Sequence, residues 1–405
     1  MLSLFNSLGK KTEVFHAADR NVVTIFTCGP SVYQRAHIGN FRTFLFEDIL
    51  ARYLEYSGFR VKRGMNITDI EDKAIIEAEK KKISVNRLTG QVIKEFKREM
   101  KALRMKPPDF LPKASESISE TVAILEVLLD RGIAYRHGGN VYFDALKFPG
   151  FGKIYGLDTS AWPPKKRRFH KDTYPGTRWN KGDFILWHGC NKGDRYCWDT
   201  VIGKGRPAWN IQDPGMISRH FDKTLSVYCG GIDNLFRHHD YTCAILESVR
   251  PYPMAKFWLH CHHLHVKGRK MSKSRGNILY TDMLKKQGYA MAEIRFFLIY
   301  GHYRLKLNYS GARMKKTAEH LKSFRGIVKN IRNNAYRGTG KVSGISRDLK
   351  KTFIEHMDND LDVKGAFDGL FRILSSANAR NLNPSEASGI IRELRKTDEV
   401  FQCLF

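Results

Sequence analysis

Phe26-Thr27-Cys28-Gly29-Pro30-Ser31-Val32-Tyr33-Gln34-Arg35-Ala36-His37-Ile38-Gly39-Asn40 is the stretch from which the rest of the chain can be read. It follows Val22, Val23, Thr24 and Ile25, a β-branched run that suits a buried strand, and it precedes Leu45, Ile49, Tyr53 and Tyr56, which recur at helical spacing. A strand therefore feeds a helix through His37-Ile38-Gly39-Asn40. Such a junction aims backbone N–H groups and the positive end of a helix dipole at one spot, which suits an anion. Gly39 lets a bulky ligand approach the backbone closely. The expected guest is a nucleotide phosphate, although a four-residue match also arises by chance and a histidine at a strand end is often structural.

A second stretch lies far downstream, Lys270-Met271-Ser272-Lys273-Ser274, followed by Arg275-Gly276-Asn277. Two lysines flanking small residues in a glycine-rimmed loop make a cationic clamp suited to a triphosphate; on its own the run would read as a solvated basic loop. In this order, and half a chain apart, the two stretches resemble the HIGH and KMSKS signatures of class I aminoacyl-tRNA synthetases.

The chain has 405 residues, enough for two to four domains with their own cores. Its 42% apolar content is ordinary, and no apolar run of about 18 residues suggests a membrane span. The N-terminus has basic residues behind a short apolar stretch and no evident cleavage site, so a cytoplasmic location is expected. Lysine and arginine number 69 against 41 acidic residues, a formal charge of +28. A polyanionic partner explains that excess best, since neutralising phosphates releases condensed counterions; adaptation to unusual salt or pH is the alternative. Seven cysteines at scattered spacings argue against a disulfide framework and for reduced thiols, some of them metal ligands.

Along the chain, Gly58 stops the first helix and Phe59 to Met65 forms a second strand, leading to Asn66-Ile67-Thr68-Asp69-Ile70-Glu71-Asp72-Lys73. Polar residues at a strand end sit where open parallel sheets bind ligands, and Thr68 or Asp69 also suits a helix N-cap. Val85 to Met105 has the period of an amphipathic helix ended by Pro107-Pro108, and Ser117 with Glu120 forms a capping box for the next. Ile133 to Leu146 reads as a hairpin turning at Gly138-Gly139. Between Phe151 and Asp183, Lys165 to Arg168 and Lys171 alternate with Trp162, Phe169, Tyr174 and Trp179, which suits a single-stranded nucleic-acid end or a solvated loop. Phe184 to Trp187 is a strand. Leu225 to Cys229, a Gly230-Gly231 turn and the mouth of a helix then repeat the opening design, completing a doubly wound sheet. Leu259 to Val266 reads as one strand aimed at the 270 loop; its histidines invite a metal, but adjacent strand residues face opposite sides. Past Tyr309 the pattern is helical, with Gly338 to Gly344 as a connector.

The fold expected is α/β, a doubly wound parallel nucleotide-binding sheet with an inserted domain and a C-terminal helical bundle. Its segments are 1–115 and 201–265 for the two catalytic halves, 116–200 for the insertion, 266–310 for the KMSKS region and 311–405 for the bundle.

Cys28-Gly29-Pro30, His37 to Asn40, Asn66 to Asp69 with Asp72-Lys73, Gly231-x-Asp233, His238-His239 and Lys270 to Ser274 together resemble cysteinyl-tRNA synthetase, over nearly the whole chain. The resemblance implies ATP with Mg²⁺ as cofactors, a small amino acid and tRNA as partners, no membrane, and a monomer. It implies that His37, Asn40, Lys270 and Lys273 carry the chemistry, the first two on the phosphates and the lysines on the departing pyrophosphate. Gly39, Gly231, Asp233, Met271, Ser272 and Ser274 complete the ATP site, and Cys28, Gly29, Thr68, Trp209 and His238 the amino-acid site. The family's zinc is held by two cysteines, a histidine and a glutamate. Here Cys28 and His238 match, Asp213 stands in place of the second cysteine and Thr242 in place of the glutamate. Cys28, Asp213 and His238 form a three-ligand set with an open position, and zinc is left open. The family's small anticodon-binding domain is also expected to be missing. Two other readings stand beside this one. A mycothiol-type ligase that joins cysteine to an amino sugar shares the catalytic fold, but needs no +28 field. A non-catalytic tRNA-binding paralogue sits poorly with intact phosphate motifs.

Overall fold

The computed structural model describes residues 1–20, 22–158, 182–191, 193–194, 196–271, 275–335, 343–377 and 382–405. Ser272, Lys273 and Ser274, the basic aromatic stretch from Trp162 to Trp179 and most of the 338–344 connector lie outside them. A hairpin of β1 (Ser3–Asn6) and β2 (Lys11–Val14) opens the chain. Next come β3 (Val22–Thr27), α1 (Ile38–Tyr56) and β4 (Arg60–Met65), the expected strand, helix and strand. Helices α2 (Asp72–Lys80) and α3 (Val85–Ala102) follow. The cap of α2 is Glu71, not Thr68 or Asp69: Thr68 is instead bridged to Ser31 and Asp69 accepts from Ser115. Helix α3 stops before the two prolines, where Arg104 turns left-handed at φ 54°.

The insertion starts with α4 (Ile118–Asp130) and the antiparallel strands β5 (Ala134–His137), β6 (Asn140–Phe143), β7 (Phe184–Gly189) and β8 (Gly205–Pro207). The expected capping box is not formed, because the Ser117 hydroxyl donates back to Lys113 O and Glu120 accepts from Ser119. Cys190 and Cys197 form a disulfide, so two of the thiols expected to be reduced are paired. The chain doubles back there, with Cys190 N donating to Lys204 O and Trp198 bridged to Gly205. Cys28, Cys229, Cys243, Cys261 and Cys403 are free and buried.

The second catalytic half comprises α5 (Trp209–His220), β9 (Leu225–Gly231), α6 (Asp240–Val249) and β10 (Ala255–Cys261). Among the described residues β10, β9, β3 and β4 lie side by side in that order, all parallel. Gly230 and Gly231 end β9 rather than forming a turn. The strand expected over Leu259 to Val266 breaks at His262-His263. Beyond the break, β11 (Leu264–Val266) pairs with β12 (Arg269–Lys270) in another sheet. Helices α7 (Thr281–Lys286) and α8 (Met291–Ile299) precede β13 (Leu307–Tyr309), which pairs with β11. The bundle is α9 (Gly311–Asn334), α10 (Gly344–Asp358), α11 (Val363–Ser376) and α12 (Pro384–Phe401).

Helix α1 sits between the parallel sheet and the bundle, which explains why it is buried on all sides. Phe41, Phe44, Leu45, Ile49, Leu50 and Leu54 are buried, and so are Arg42, Glu47 and Asp48. Among the described residues no helix is long and apolar enough to cross a membrane.

Candidate active site

The carboxyl ends of the parallel strands meet the two helix mouths in one cleft, where open α/β sheets place their ligands. His37 caps α1 in an extended conformation (φ −99°, ψ 170°). Its Nδ1 accepts from Asn40 N at 3.2 Å and its own N–H donates to Asn40 Oδ1 at 3.0 Å, while Ile38 N donates to Leu279 O. The two expected phosphate residues thus cap one another, and this helix end offers an anion fewer backbone N–H groups than the sequence suggested. Burial holds the His37 imidazole below its usual range.

The downstream stretch lands on the same cleft. A Cβ on Gly39 would lie 2.5 Å from Met271 Cε, so Met271 packs where only a glycine leaves room. Lys270 Nζ is 3.2 Å from Asp233 Oδ2, in the turn that follows Gly231. His37, Asn40, Gly39, Gly231, Asp233, Lys270 and Met271 are thereby brought together.

Deeper in, side chains from five elements converge. Cys28 and Gly29 follow β3, Asn66 follows β4, and α5 presents Trp209 and Asp213 one turn apart on one face. Tyr228 comes from β9, and His238 and His239 from the segment before α6. Asp213 accepts from Tyr228 Oη at 2.6 Å and from the Asn66 side chain, and its Oδ2 is 3.1 Å from His238 Nε2. Burial pushes this carboxyl upward, but His238 and the donors from His238, Tyr228 and Asn66 hold it below the ordinary carboxylate range. Cys28 Sγ is 3.7 Å from Asp213 Oδ2 and 3.1 Å from His239 Nε2. Burial, then the charges of Asp213 and Glu47, push its thiol well above the usual range. Trp209, 41% exposed, stacks on the His238 ring with centroids 5.3 Å apart. Gly29 N donates to Asn66, and a Cβ there would run into the Asn66 carbonyl. Thr68, expected at the amino-acid site, pairs through its backbone with Pro30 and Val32, next to Gly29.

A profile for the class I (C) tRNA synthetase catalytic domain matches residues 14–319. A cysteine–tRNA ligase of Chlamydia felis is 34% identical over 414 residues, covering 100% of this chain and 86% of that one. One of Brachyspira hyodysenteriae is 32% identical over 408 residues, covering 98% and 85%. The chain belongs to the cysteinyl-tRNA synthetase family. As a family member it is a class I synthetase-type ligase that binds ATP. The methionyl-tRNA synthetase of Mycobacterium tuberculosis in complex with methionyl-adenylate shares the fold at a TM-score of 0.62 and 13% identity, over 95% of this chain and 90% of that one. So does the leucyl-tRNA synthetase ternary complex of Agrobacterium radiobacter K84, at 0.66 and 11%, over 96% and 85%.

The cysteinyl-tRNA synthetase resemblance implies zinc, and the donors present bear on it directly. Cys28, His238 and His239 have donor atoms within 4.8 Å of one another. His238 Nδ1 is buried with no hydrogen-bond partner, which costs about 1–3 kcal/mol unless a ligand or ion takes it up. One sulfur and two imidazoles suit zinc, while Thr242 offers only a neutral, buried hydroxyl. Tyr228 had no role in the sequence reading; His239 entered it only as half of the His238-His239 doublet, and His260 only among the histidines of the strand expected over Leu259 to Val266.

Proposed function

We propose that the chain activates cysteine with ATP and passes it to the 3′ end of a tRNA. The observation that carries this is the meeting of the two distant motifs, Met271 against Gly39 and Lys270 against Asp233. In the first step a carboxylate oxygen of the amino acid attacks the α-phosphorus, pyrophosphate leaves and a mixed anhydride with AMP forms. In the second, a terminal ribose hydroxyl attacks the acyl carbon and AMP leaves. Positioning and charge stabilisation are the protein's part in both. His37 and Asn40 face the phosphates, and Lys270 releases Asp233 to follow the pyrophosphate with Mg²⁺. Lys273 is assigned the same work from sequence.

The side chain of the amino acid enters the pocket of Cys28, Trp209 and His238. A zinc ion, when bound there, supplies a Lewis-acid seat for a thiolate. The +28 charge supports a tRNA acceptor, and the relatives reported above give an amino-sugar acceptor no support. Incubating the protein with ATP, radiolabelled cysteine, total tRNA and an amino sugar tests the reading: label in acid-precipitable RNA is the expected result, and label transferred only to the amino sugar would overturn it.

A further inference from the structure

Two of the four positions that hold the family's zinc carry other residues here, yet the pocket keeps a converging donor set. We propose that this chain holds zinc on Cys28, His238 and His239, with Asp213 and His260 orienting the two imidazoles and a fourth position open to substrate sulfur. The proposal rests on the pocket being the amino-acid site.

Each histidine is engaged on one nitrogen and available on the other. His238 turns Nε2 to Asp213 Oδ2 at 3.1 Å and leaves Nδ1 buried without a partner. His239 sets Nδ1 2.8 Å from His260 Nε2, whose own Nδ1 is 2.8 Å from Ser7 Oγ, and aims Nε2 at Cys28 Sγ. A ligating imidazole characteristically gives its other N–H to a carboxylate or a similar partner, which fixes tautomer and ring angle. Asp213 fits that orienting role better than a ligand's: Asn66, Tyr228 and His238 already surround its oxygens, and it stands outside the mutual set.

Phe236 (φ −98°, ψ 154°) and Arg237 (φ 67°) interrupt the helix just before the doublet. The two rings lie 5.6 Å apart, tilted by 44°. With one thiolate among three protein ligands the site keeps net positive charge and an open position, the composition of a reactive rather than a structural zinc site.

X-ray absorption fine structure on the wild-type protein loaded with Zn²⁺ alone tests the ligand set. Expected are one sulfur at about 2.3 Å and two imidazole nitrogens at about 2.0 Å, with a second sulfur on adding cysteine. One imidazole plus a carboxylate, or no zinc taken up, would overturn it. By mass spectrometry of dialysed protein, His239→Gln should lose stoichiometric zinc at an unchanged melting temperature. Asp213→Asn should keep it with affinity lowered about 10–100-fold; the reverse pattern contradicts the assignment. Should His239→Gln fail to fold, the wild-type spectrum decides. Zinc on these ligands without cysteine-dependent exchange would sink the functional reading alone, and exchange by metal-free protein would sink the ligand set alone.

Discussion

Gly39 is the residue at which the two motifs touch, and its missing side chain is the reason they can. A Cβ there meets Met271 Cε at 2.5 Å and the His37 ring at 3.0 Å, and Met271 is flexible enough to move aside. Gly39→Ala should therefore fold normally but displace Met271 from the cleft. The expected result is a rise of about tenfold in KM for ATP, equivalent to about 1.4 kcal/mol, with the melting temperature little changed. His188 gives a residue-level test of another kind. Burial, with Arg206 nearby, lowers its imidazole to about 4, against the opposing charge of Asp72. The unfolded chain then binds more protons, so this contribution is complete above pH about 6.5 and lost as pH falls toward 4, at about 1.4 kcal/mol per pH unit. Urea unfolding of His188→Gln between pH 7 and 5 should show a correspondingly flatter pH dependence than the wild type. Residues in contiguous motifs, Cys28, Gly39, His238 and Lys270, were legible in the sequence. Tyr228 and His260 were not, because their approach depends on the parallel register of β9 and β10, which pairs Tyr228 with Trp258 and Gly230 with His260.

At the scale of elements, α1 joins the nucleotide cleft to the bundle, and buried charge holds it there. Arg295 of α8 donates to Asp48 at 2.7 Å, to Phe401 O at the end of α12 and to Leu103 O after α3, with both charged side chains fully buried. Arg42 binds four carbonyls, those of His262, Leu298, His302 and Leu305. Removing one member of a buried pair strands the other, which costs about 3–5 kcal/mol. Asp48→Asn should lose stability of that order in chemical denaturation; a loss under about 1 kcal/mol would mean the pair does little to hold the elements together. Spacing showed α1 as a helix, and the structure shows why it carries charge on its buried sides. The errors came where tertiary context outweighed local pattern: the strand broken at His262-His263, the capping box lost to Lys113 O, and the disulfide formed by a doubling-back that spacing alone does not encode.

For the whole molecule, the proposed function puts the +28 charge and the cleft in one account: positive charge to gather an RNA and a sheet to activate what it will carry. If the tRNA reading holds with six to ten phosphate contacts, affinity should fall by about 10³–10⁵ between 50 and 200 mM salt, measured by filter binding. A flat salt response would detach the charge from the function. The repeated strand-and-helix design was legible because each half carries its own motif. Their joining into one sheet was read from that repeat, but the partner strands were not, since the parallel pairing of β3 with β9 links residues about two hundred apart in sequence. The most direct test of the central claim is ATP–pyrophosphate exchange by the purified protein, run with each of the twenty amino acids. Exchange dependent on cysteine alone is predicted; exchange with a different amino acid, or with none, would contradict it.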